Sequence, residues 1–90
     1  METSYDPEKR TQTLLHRQLD FQDAIKVFAG TTLTIEDDRQ DYGEVRYQTL
    51  GLLDERLVMV VWTSRGGSQH IISMRKANER EKKRYDAQLE

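Results

Sequence analysis

Five residues from position 44 onward are candidates for binding an anion or moving a proton: Glu44, Arg46, Arg65, His70 and Arg75. Side chains alternate across a strand, so Glu44 and Arg46, two residues apart in "GEVRYQTLG", share one face. Arg65 ends the apolar run "LVMVVWTSR", and Arg75 follows "QHIISM". We expect these groups to meet on one face or rim of a sheet. There they form either an anion-binding catalytic site or ordinary exposed ion pairs.

Residue types that would support other chemistries are missing or badly spaced in this sequence. The absence of cysteine excludes a disulfide framework and a thiolate zinc site, which suits a reducing cytosol. His16 and His70 do not stand at a metal-ligand spacing, and "DDRQD" lacks the glycine and final glutamate of a calcium loop. The chain has no glycine-rich phosphate loop and no nucleophile elbow. We therefore expect no metal and no cofactor.

Ninety residues predict one domain, residues 1–90, that begins with two helices. Asp6 is a suitable N-cap and Pro7 fits the first helical position, so this helix should end near residues 16–17. Asp20 is a second N-cap, and Gly30 stands where a helix C-terminus favours a residue without a Cβ atom. One apolar face between them has helical spacing: Phe21, Ala24, Ile25 and Phe28.

Four strands are expected after these helices. Residues 31–36 and 44–52 alternate in the manner of half-buried strands. Residues 56–64 are apolar on both faces, which predicts the central strand of a sheet. "RGG" then forms a tight hairpin to residues 69–74. With a helix from about Ala77, the sequence predicts an α+β fold of two N-terminal helices, a four-stranded antiparallel sheet and a C-terminal helix.

The predicted C-terminal helix is basic although the whole chain carries a net charge of −2. Residues 75–90 hold six bases and four acids, whereas residues 34–55 hold seven acids and two bases. The apolar stripe of this helix is narrow and is interrupted by Glu81, so we expect the helix to be held loosely. Its bases would then be available for phosphates or for acidic side chains of a partner.

Five motifs, in order along nearly the whole chain, resemble the BrnT family of small ribonuclease toxins from type II toxin–antitoxin systems. The last of the five is the most specific, and their common order makes coincidence an unsatisfactory explanation. The motifs are "YDPEK", "DFQDAIKVF", "GEVRYQTLG", "LVMVVWTSRG" and "IISMRKANEREKKRY".

The resemblance implies a fold like that of RelE-type toxins and cleavage of RNA without a metal, which inhibits translation. It also implies a bacterial cytoplasmic location and a cognate antitoxin with a ribbon-helix-helix domain. This antitoxin neutralises the toxin and contacts operator DNA on behalf of the complex. By motif match, the residues implied at the active surface are Lys9, Glu44, Arg46, Arg65, Arg75 and Tyr85.

Two stretches of the sequence depart from the family pattern. Relatives usually carry Asn-x-x-Lys-His-Gly where this chain has Thr13, His16, Arg17 and Gln18, and Arg where it has His70. The side chains that this chain carries at the departing positions can still bind RNA. The predicted RNA-binding residues are therefore Lys9, His16, Arg17, Lys76 and Tyr85. Because two fixed cations become histidines, we expect tighter binding near pH 6 than near pH 8.

These residues suit cleavage of RNA by its own 2′-hydroxyl. Arg46, Arg65 and Arg75 would grip the phosphate, and Glu44 or a histidine such as His70 would carry the proton. Two alternatives use the same residues differently. One is a weakened or inactive member that binds the antitoxin and regulates the operon, and the other is a simple RNA-binding domain.

Overall fold

The computed structural model describes residues 2–89, so Met1 and Glu90 of the predicted domain lie outside the described residues. Three α-helices, a 3₁₀ turn and five strands follow one another in this part of the chain, and the predicted α+β class is confirmed. They are β1 (Thr3–Tyr5), α1 (Pro7–Arg17), the 3₁₀ turn (Phe21–Asp23), α2 (Ala24–Ala29), β2 (Leu33–Asp37), β3 (Arg46–Leu53), β4 (Arg56–Arg65), β5 (Ser68–Lys76) and α3 (Glu79–Leu89).

The sheet has five strands in the order β1-β5-β4-β3-β2, with β4 in the centre as its two apolar faces predicted. β2 to β5 form the expected antiparallel meander. The prediction of a purely antiparallel four-stranded sheet is wrong because β1 joins the edge of β5 in parallel. Three residues, "TSY", are too short to show an alternating pattern, so sequence periodicity does not reveal this strand.

The predicted helix caps are found at Asp6 and Asp20. The carboxylate of Asp6 accepts a hydrogen bond from the backbone N–H of Glu8 at 2.9 Å, and Pro7 occupies the first turn of α1. The helix ends at Arg17, as expected, because Gln18 adopts a left-handed conformation with φ 54°. Asp20 starts the 3₁₀ turn in the same way as Asp6 starts α1.

The buried face of the second helical segment differs from the predicted one. Phe21, Ala24 and Val27 are buried, whereas Ile25 is 54% exposed. The segment begins as a 3₁₀ turn, whose three-residue period places every third side chain on the same side. The helix ends at Gly30, as predicted, although the backbone of this glycine is extended, with φ −93°.

The two faces of the sheet pack against different helices. The 3₁₀ turn and α2 cover the face that carries Val58 and Val60. The other face carries Met59 and packs against α3 through Tyr85, which is 4% exposed and donates a hydrogen bond to the carbonyl of Thr31 at 2.8 Å. The expected loose attachment of α3 is therefore wrong, since a single buried aromatic residue anchors it.

The start of α3 is fixed by a reciprocal pair of hydrogen bonds between Asn78 and Glu81. The side chain of Asn78 accepts from the N–H of Glu81 at 2.8 Å, and the carboxylate of Glu81 accepts from the N–H of Asn78 at 2.9 Å. Glu81 interrupts the apolar stripe of α3 because its carboxylate caps the start of the helix. Within residues 2–89, no helix is long and apolar enough to cross a membrane.

Candidate functional site

The face of the sheet that carries α3 changes character along its length. Under α3 it is apolar, with Leu50, Leu57 and Met59 packed against Tyr85. Toward the hairpin between β4 and β5, the same face carries polar side chains, of which Ser4, Arg46 and His70 are partly exposed. This hairpin turns through Gly66 and Gly67 with φ of 56° and 82°, as the "RGG" motif predicted, and it places Arg65 at the rim.

One polar residue from each of the five strands lies in a single row across this face. The pairing register joins Asp37 to Arg46, Arg46 to Thr63, Thr63 to His70, and His70 to Ser4. Residues paired across neighbouring strands point to the same side of a sheet. We call these five residues the polar row. It brings together two predicted site residues, Arg46 and His70, from strands that are distant in sequence.

Glu44 connects the polar row to the hairpin rim. Its carboxylate accepts hydrogen bonds from Arg65 at 3.1 Å and from the Nε atom of Arg46 at 3.2 Å. These hydrogen bonds hold the pKa of Glu44 below its usual range, and the one from Arg65 has the larger effect. Glu44 is therefore ionised at neutral pH and holds two guanidinium groups side by side, from a position just before β3 and outside the strand in which the sequence placed it.

His70 is half-buried, and its Nδ1 atom lies 2.9 Å from the hydroxyl of Ser4. Partial burial lowers the pKa of His70, and the positive charge of Arg65 lowers it further. The imidazole is therefore neutral at neutral pH, with one ring nitrogen fixed by a strand that the sequence did not reveal. The lowered pKa means that His70 takes up its proton at a more acidic pH than an ordinary histidine, which opposes the expected gain of positive charge toward pH 6.

Arg75 lies apart from the other predicted catalytic residues. It pairs in register with Met59, six residues along β4 from Arg65, a separation of about 20 Å at ~3.3 Å per residue. Its two terminal nitrogens each donate to the carboxylate of Glu81 at 2.8 Å. In this conformation Arg75 is engaged by Glu81 and is not brought together with Arg65, so its grip on the same phosphate stays a prediction.

The candidates on α1 line one cleft beside the edge of β5. Lys9, His16 and Arg17 border this cleft, whose volume is about 390 Å³, together with Ser73 of β5. Arg17 also donates a hydrogen bond to the carbonyl of Met74 at 3.0 Å, which fixes the C-terminal end of α1 to the sheet. The positive charge of Lys9 contributes to the lowered pKa of His70, after burial and Arg65, so the cleft and the polar row are electrostatic neighbours.

Lys76 and Tyr85 lie away from the open face. Lys76 pairs in register with Val58, so its side chain belongs to the opposite side of the sheet from Arg75. Tyr85 is a core residue, and its burial contradicts a direct contact with RNA in this conformation. Both residues border a groove of about 730 Å³ at the α3 end of the molecule, together with Leu57 and Ala77.

Five residues near the open face were missed by the sequence analysis: Ser4, Asp37, Arg39, Tyr42 and Thr63. Asp37 ends β2 and its side chain is 1% exposed. Hydrogen bonds from Arg39, mainly from its side chain, lower the pKa of Asp37 to about 2. The stretch "DDRQDYG" lies directly before Glu44, and this position was the available signal of a functional role.

The side chains on this face are suited to phosphodiester chemistry. Two adjacent guanidinium groups can hold a phosphodiester, and a neutral histidine beside them can accept a proton. Within residues 2–89, no group of three or more His, Cys, Asp or Glu residues could hold a metal ion. A small α+β domain with these groups on an open sheet face is suited to binding and cleaving a flexible anionic polymer.

The chain belongs to the BrnT family: the model described as "Ribonuclease toxin, BrnT, of type II toxin-antitoxin system" matches residues 5–81. The matched range includes the polar row from Asp37 onward, the hairpin and the start of α3. Membership confirms the resemblance drawn from the sequence motifs and implies an antitoxin partner. None of the curated proteins compared with the chain matches it.

Proposed function

We propose that this protein is the toxin of a type II toxin–antitoxin system and cleaves RNA on the open sheet face without a metal. The family supports the ribonuclease and toxin roles. The observation that supports this location best is the polar row, with a neutral His70 beside the Arg46–Glu44–Arg65 cluster. Helices packed against a largely antiparallel sheet support a RelE-like fold as part of the same proposal.

The proposed reaction is an internal transesterification. His70 accepts the proton of the RNA 2′-hydroxyl, and the 2′-oxygen forms a bond to the adjacent phosphorus. The bond from phosphorus to the 5′-oxygen breaks, the 5′-oxygen takes a proton from water, and His70 returns its proton to the hydroxide that is left. The products carry a 2′,3′-cyclic phosphate and a 5′-hydroxyl, and no oxidant or second substrate is needed.

The arginines serve the phosphate in this scheme. Arg46 and Arg65 stand close together because both bond to Glu44, and their charges stabilise the additional negative charge of the phosphorane. Glu44 holds the guanidinium groups in place and is a poor proton carrier, since its pKa is lowered. The cleft on α1, with Lys9, His16 and Arg17, extends the cationic surface for neighbouring RNA phosphates.

The cellular part of the proposal follows from the family. Cleavage of RNA inhibits translation in the bacterial cytoplasm, and a cognate antitoxin with a ribbon-helix-helix domain neutralises the toxin. Operator DNA is bound by the antitoxin and not by this chain. Coexpression of the neighbouring antitoxin gene is expected to relieve growth arrest caused by the toxin.

The decisive experiment incubates purified protein with RNA in the presence of a chelator. We expect fragments with 2′,3′-cyclic phosphate ends, and no cleavage where the nucleotide before the scissile bond carries a 2′-deoxyribose. His70→Ala, purified in parallel, controls for contaminating nuclease. RNA binding without cleavage by the wild type would overturn the proposal and favour the alternatives of an inactive antitoxin-binding module or a simple RNA-binding domain.

A further inference from the structure

The segment between β2 and β3 contains a continuous set of side-chain contacts that ends at Arg46. It begins with the buried carboxylate of Asp37, which accepts hydrogen bonds from Arg39 at 2.7 and 2.8 Å. The same carboxylate accepts a hydrogen bond from the hydroxyl of Tyr42 at 3.2 Å. Asp37 therefore fixes both a guanidinium group and a phenol ring of the segment that follows it.

The ring of Tyr42 lies against the guanidinium group of Arg46. The Cζ atom of Arg46 is 4.0 Å from the centre of the ring, within the range of a cation–π contact. On another side, the Nε atom of Arg46 donates to Glu44. Two different contacts thus restrict Arg46. The carboxylate of Glu44 accepts its Nε hydrogen bond, and the ring of Tyr42 packs on the guanidinium face and leaves other N–H donors available.

The contacts of Arg46 with Glu44 and Tyr42 bear on catalysis because they decide where its guanidinium group lies. A guanidinium group held only by Glu44 could follow that carboxylate when Arg65 moves, since Glu44 bonds to both arginines. The Tyr42 ring opposes such a movement, and its hydroxyl is tied to a carboxylate whose side chain is 1% exposed. Arg39, at 65% side-chain exposure, neutralises Asp37 from the solvent side.

We propose that Tyr42, held by Asp37, is a positioning residue that sets the orientation of Arg46 toward the RNA phosphate. This inference rests on the proposed function and adds a specific role for a segment between two strands. Tyr42 acts through Arg46 and makes no contact with RNA. Its contribution therefore belongs to the rate of the bound complex and not to RNA affinity.

The test is a double-mutant cycle on RNA cleavage. Tyr42→Leu removes the ring, Tyr42→Phe keeps the ring and removes the hydroxyl, and each is made alone and together with Arg46→Ala. We expect Tyr42→Leu to lower kcat roughly 10- to 100-fold with little change in KM, because misplacement of a catalytic group costs rates of this size. Tyr42→Phe should lower kcat less than Tyr42→Leu does, because the ring remains while the hydrogen bond that holds it to Asp37 is lost.

In the Arg46→Ala background, Tyr42→Leu should have no further effect, since the residue through which it acts is gone. An equal loss of rate in both backgrounds would overturn the inference. A raised KM with unchanged kcat would also overturn it and assign Tyr42 to direct stacking against an RNA base. Circular dichroism and thermal melting establish that each variant is folded.

The same experiment separates this inference from the proposed function. Wild-type protein that leaves RNA intact contradicts the proposed function, and the inference falls with it. Wild-type protein that cleaves RNA, combined with independent effects of Tyr42→Leu and Arg46→Ala, leaves the proposed function standing and removes the inference alone. Tyr47→Phe, a ring on the other face of β3, is the matched control and should leave kcat unchanged.

Discussion

The carboxylate of Glu44 and the guanidinium group of Arg65 meet at 3.1 Å, although 21 residues separate them in the sequence. Arg65 reaches this position because the glycine hairpin ends β4 directly after it. Glu44 precedes β3 and bonds to Arg46 as well, so the pair joins two neighbouring strands at the open end of the sheet. A phosphate that binds Arg65 must compete with this carboxylate or share the guanidinium group with it.

Arg65→Ala is expected to lower the rate of RNA cleavage by about 10²–10³-fold, the usual cost of removing one preorganised charge contact from a transition state. The protein should remain folded, because the side chain is 53% exposed. Arg56→Ala, an exposed arginine at the other end of β4, is the matched control and should retain activity. Full activity of a folded Arg65→Ala variant would remove Arg65 from the site.

Arg75→Ala is expected to act on stability instead of catalysis. It leaves the carboxylate of Glu81, whose side chain is 12% exposed, without its bidentate partner. A contact of this kind contributes about 1–2 kcal/mol, and urea unfolding measures it. Glu81→Gln and the double variant complete a cycle, and Lys76→Ala is the neighbouring control. A stable but inactive Arg75→Ala protein would restore Arg75 to the catalytic residues.

Local signals in the sequence account for much of the fold. The caps at Asp6 and Asp20, the central position of β4 and the glycine hairpin each depend on a few neighbouring residues, and all were predicted. β1 depends on a partner far along the chain, since Ser4 and His70 are 66 residues apart, and no local pattern encodes that contact. The buried face of α2 was misassigned because the 3₁₀ turn before it changes the helical period.

The site was predicted in part for the same physical reasons. Strand alternation predicted Glu44 beside Arg46; the structure places it there from the segment just before β3, and the hairpin brings Arg65 close to both. Arg75 was grouped with Arg65 although the antiparallel hairpin separates them: Arg65 pairs with Ser68 beside the turn, whereas Arg75 pairs with Met59 far from it. The role of Tyr42 depends on the conformation of an irregular segment, which residue spacing does not determine.

The dependence of cleavage on pH follows from the lowered pKa of His70. As pH falls through this pKa, His70 takes up a proton and ceases to act as a base, so activity is lost on the acidic side. The rising limb of the pH–rate profile should have its midpoint below 6.5, the ordinary value for histidine. His70→Ala should abolish this limb, and a midpoint above 6.5 in the wild type would contradict the assignment.

Ser4→Ala tests how His70 is oriented. Loss of the 2.9 Å contact frees the imidazole to rotate, and we expect the plateau rate to fall roughly 10-fold with a rising limb still present. Ser64→Ala is the matched control, since that serine is exposed and faces the other side of β4. Equal plateau rates for Ser4→Ala and the wild type would show that β1 does not position the base.

Asp37 should make stability depend on pH in the acidic range. Its pKa is about 2 in the folded protein against an ordinary value of 3.8. A lowered carboxyl pKa stabilises the folded state above the ordinary value, and this stabilisation is lost as pH falls from about 5 toward 2. Because the partner Arg39 is largely exposed, we expect only about 1–2 kcal/mol.

Asp37→Asn measures this contribution. Urea unfolding at pH 7 and pH 3 should give a smaller difference in unfolding free energy for Asp37→Asn than for the wild type. Asp38→Asn, the exposed neighbour, should keep the wild-type difference. Identical pH profiles for the wild type and Asp37→Asn would mean that the buried ion pair does not stabilise the fold.

The basic side chains of α3 are available to bind RNA phosphates or the antitoxin. Glu81 and Tyr85 anchor the helix to the sheet at a spacing of one helical turn, whereas Lys82, Lys83 and Arg84 are exposed. These three side chains can therefore be changed without loss of a core contact. We expect their replacement by Glu to weaken binding of RNA, of the antitoxin, or of both, with the effect greatest at low salt.

The salt dependence of binding distinguishes a direct role from a general effect of charge. Each phosphate contact to single-stranded RNA adds about 0.7 to the slope of log affinity against log salt, so loss of three contacts lowers the slope by about 2. Lys26→Glu, on α2 at the opposite side of the sheet, changes the net charge without touching α3 and should leave the slope near that of the wild type. If the triple variant binds RNA and antitoxin like the wild type at every salt concentration, α3 contributes only its anchor to the fold.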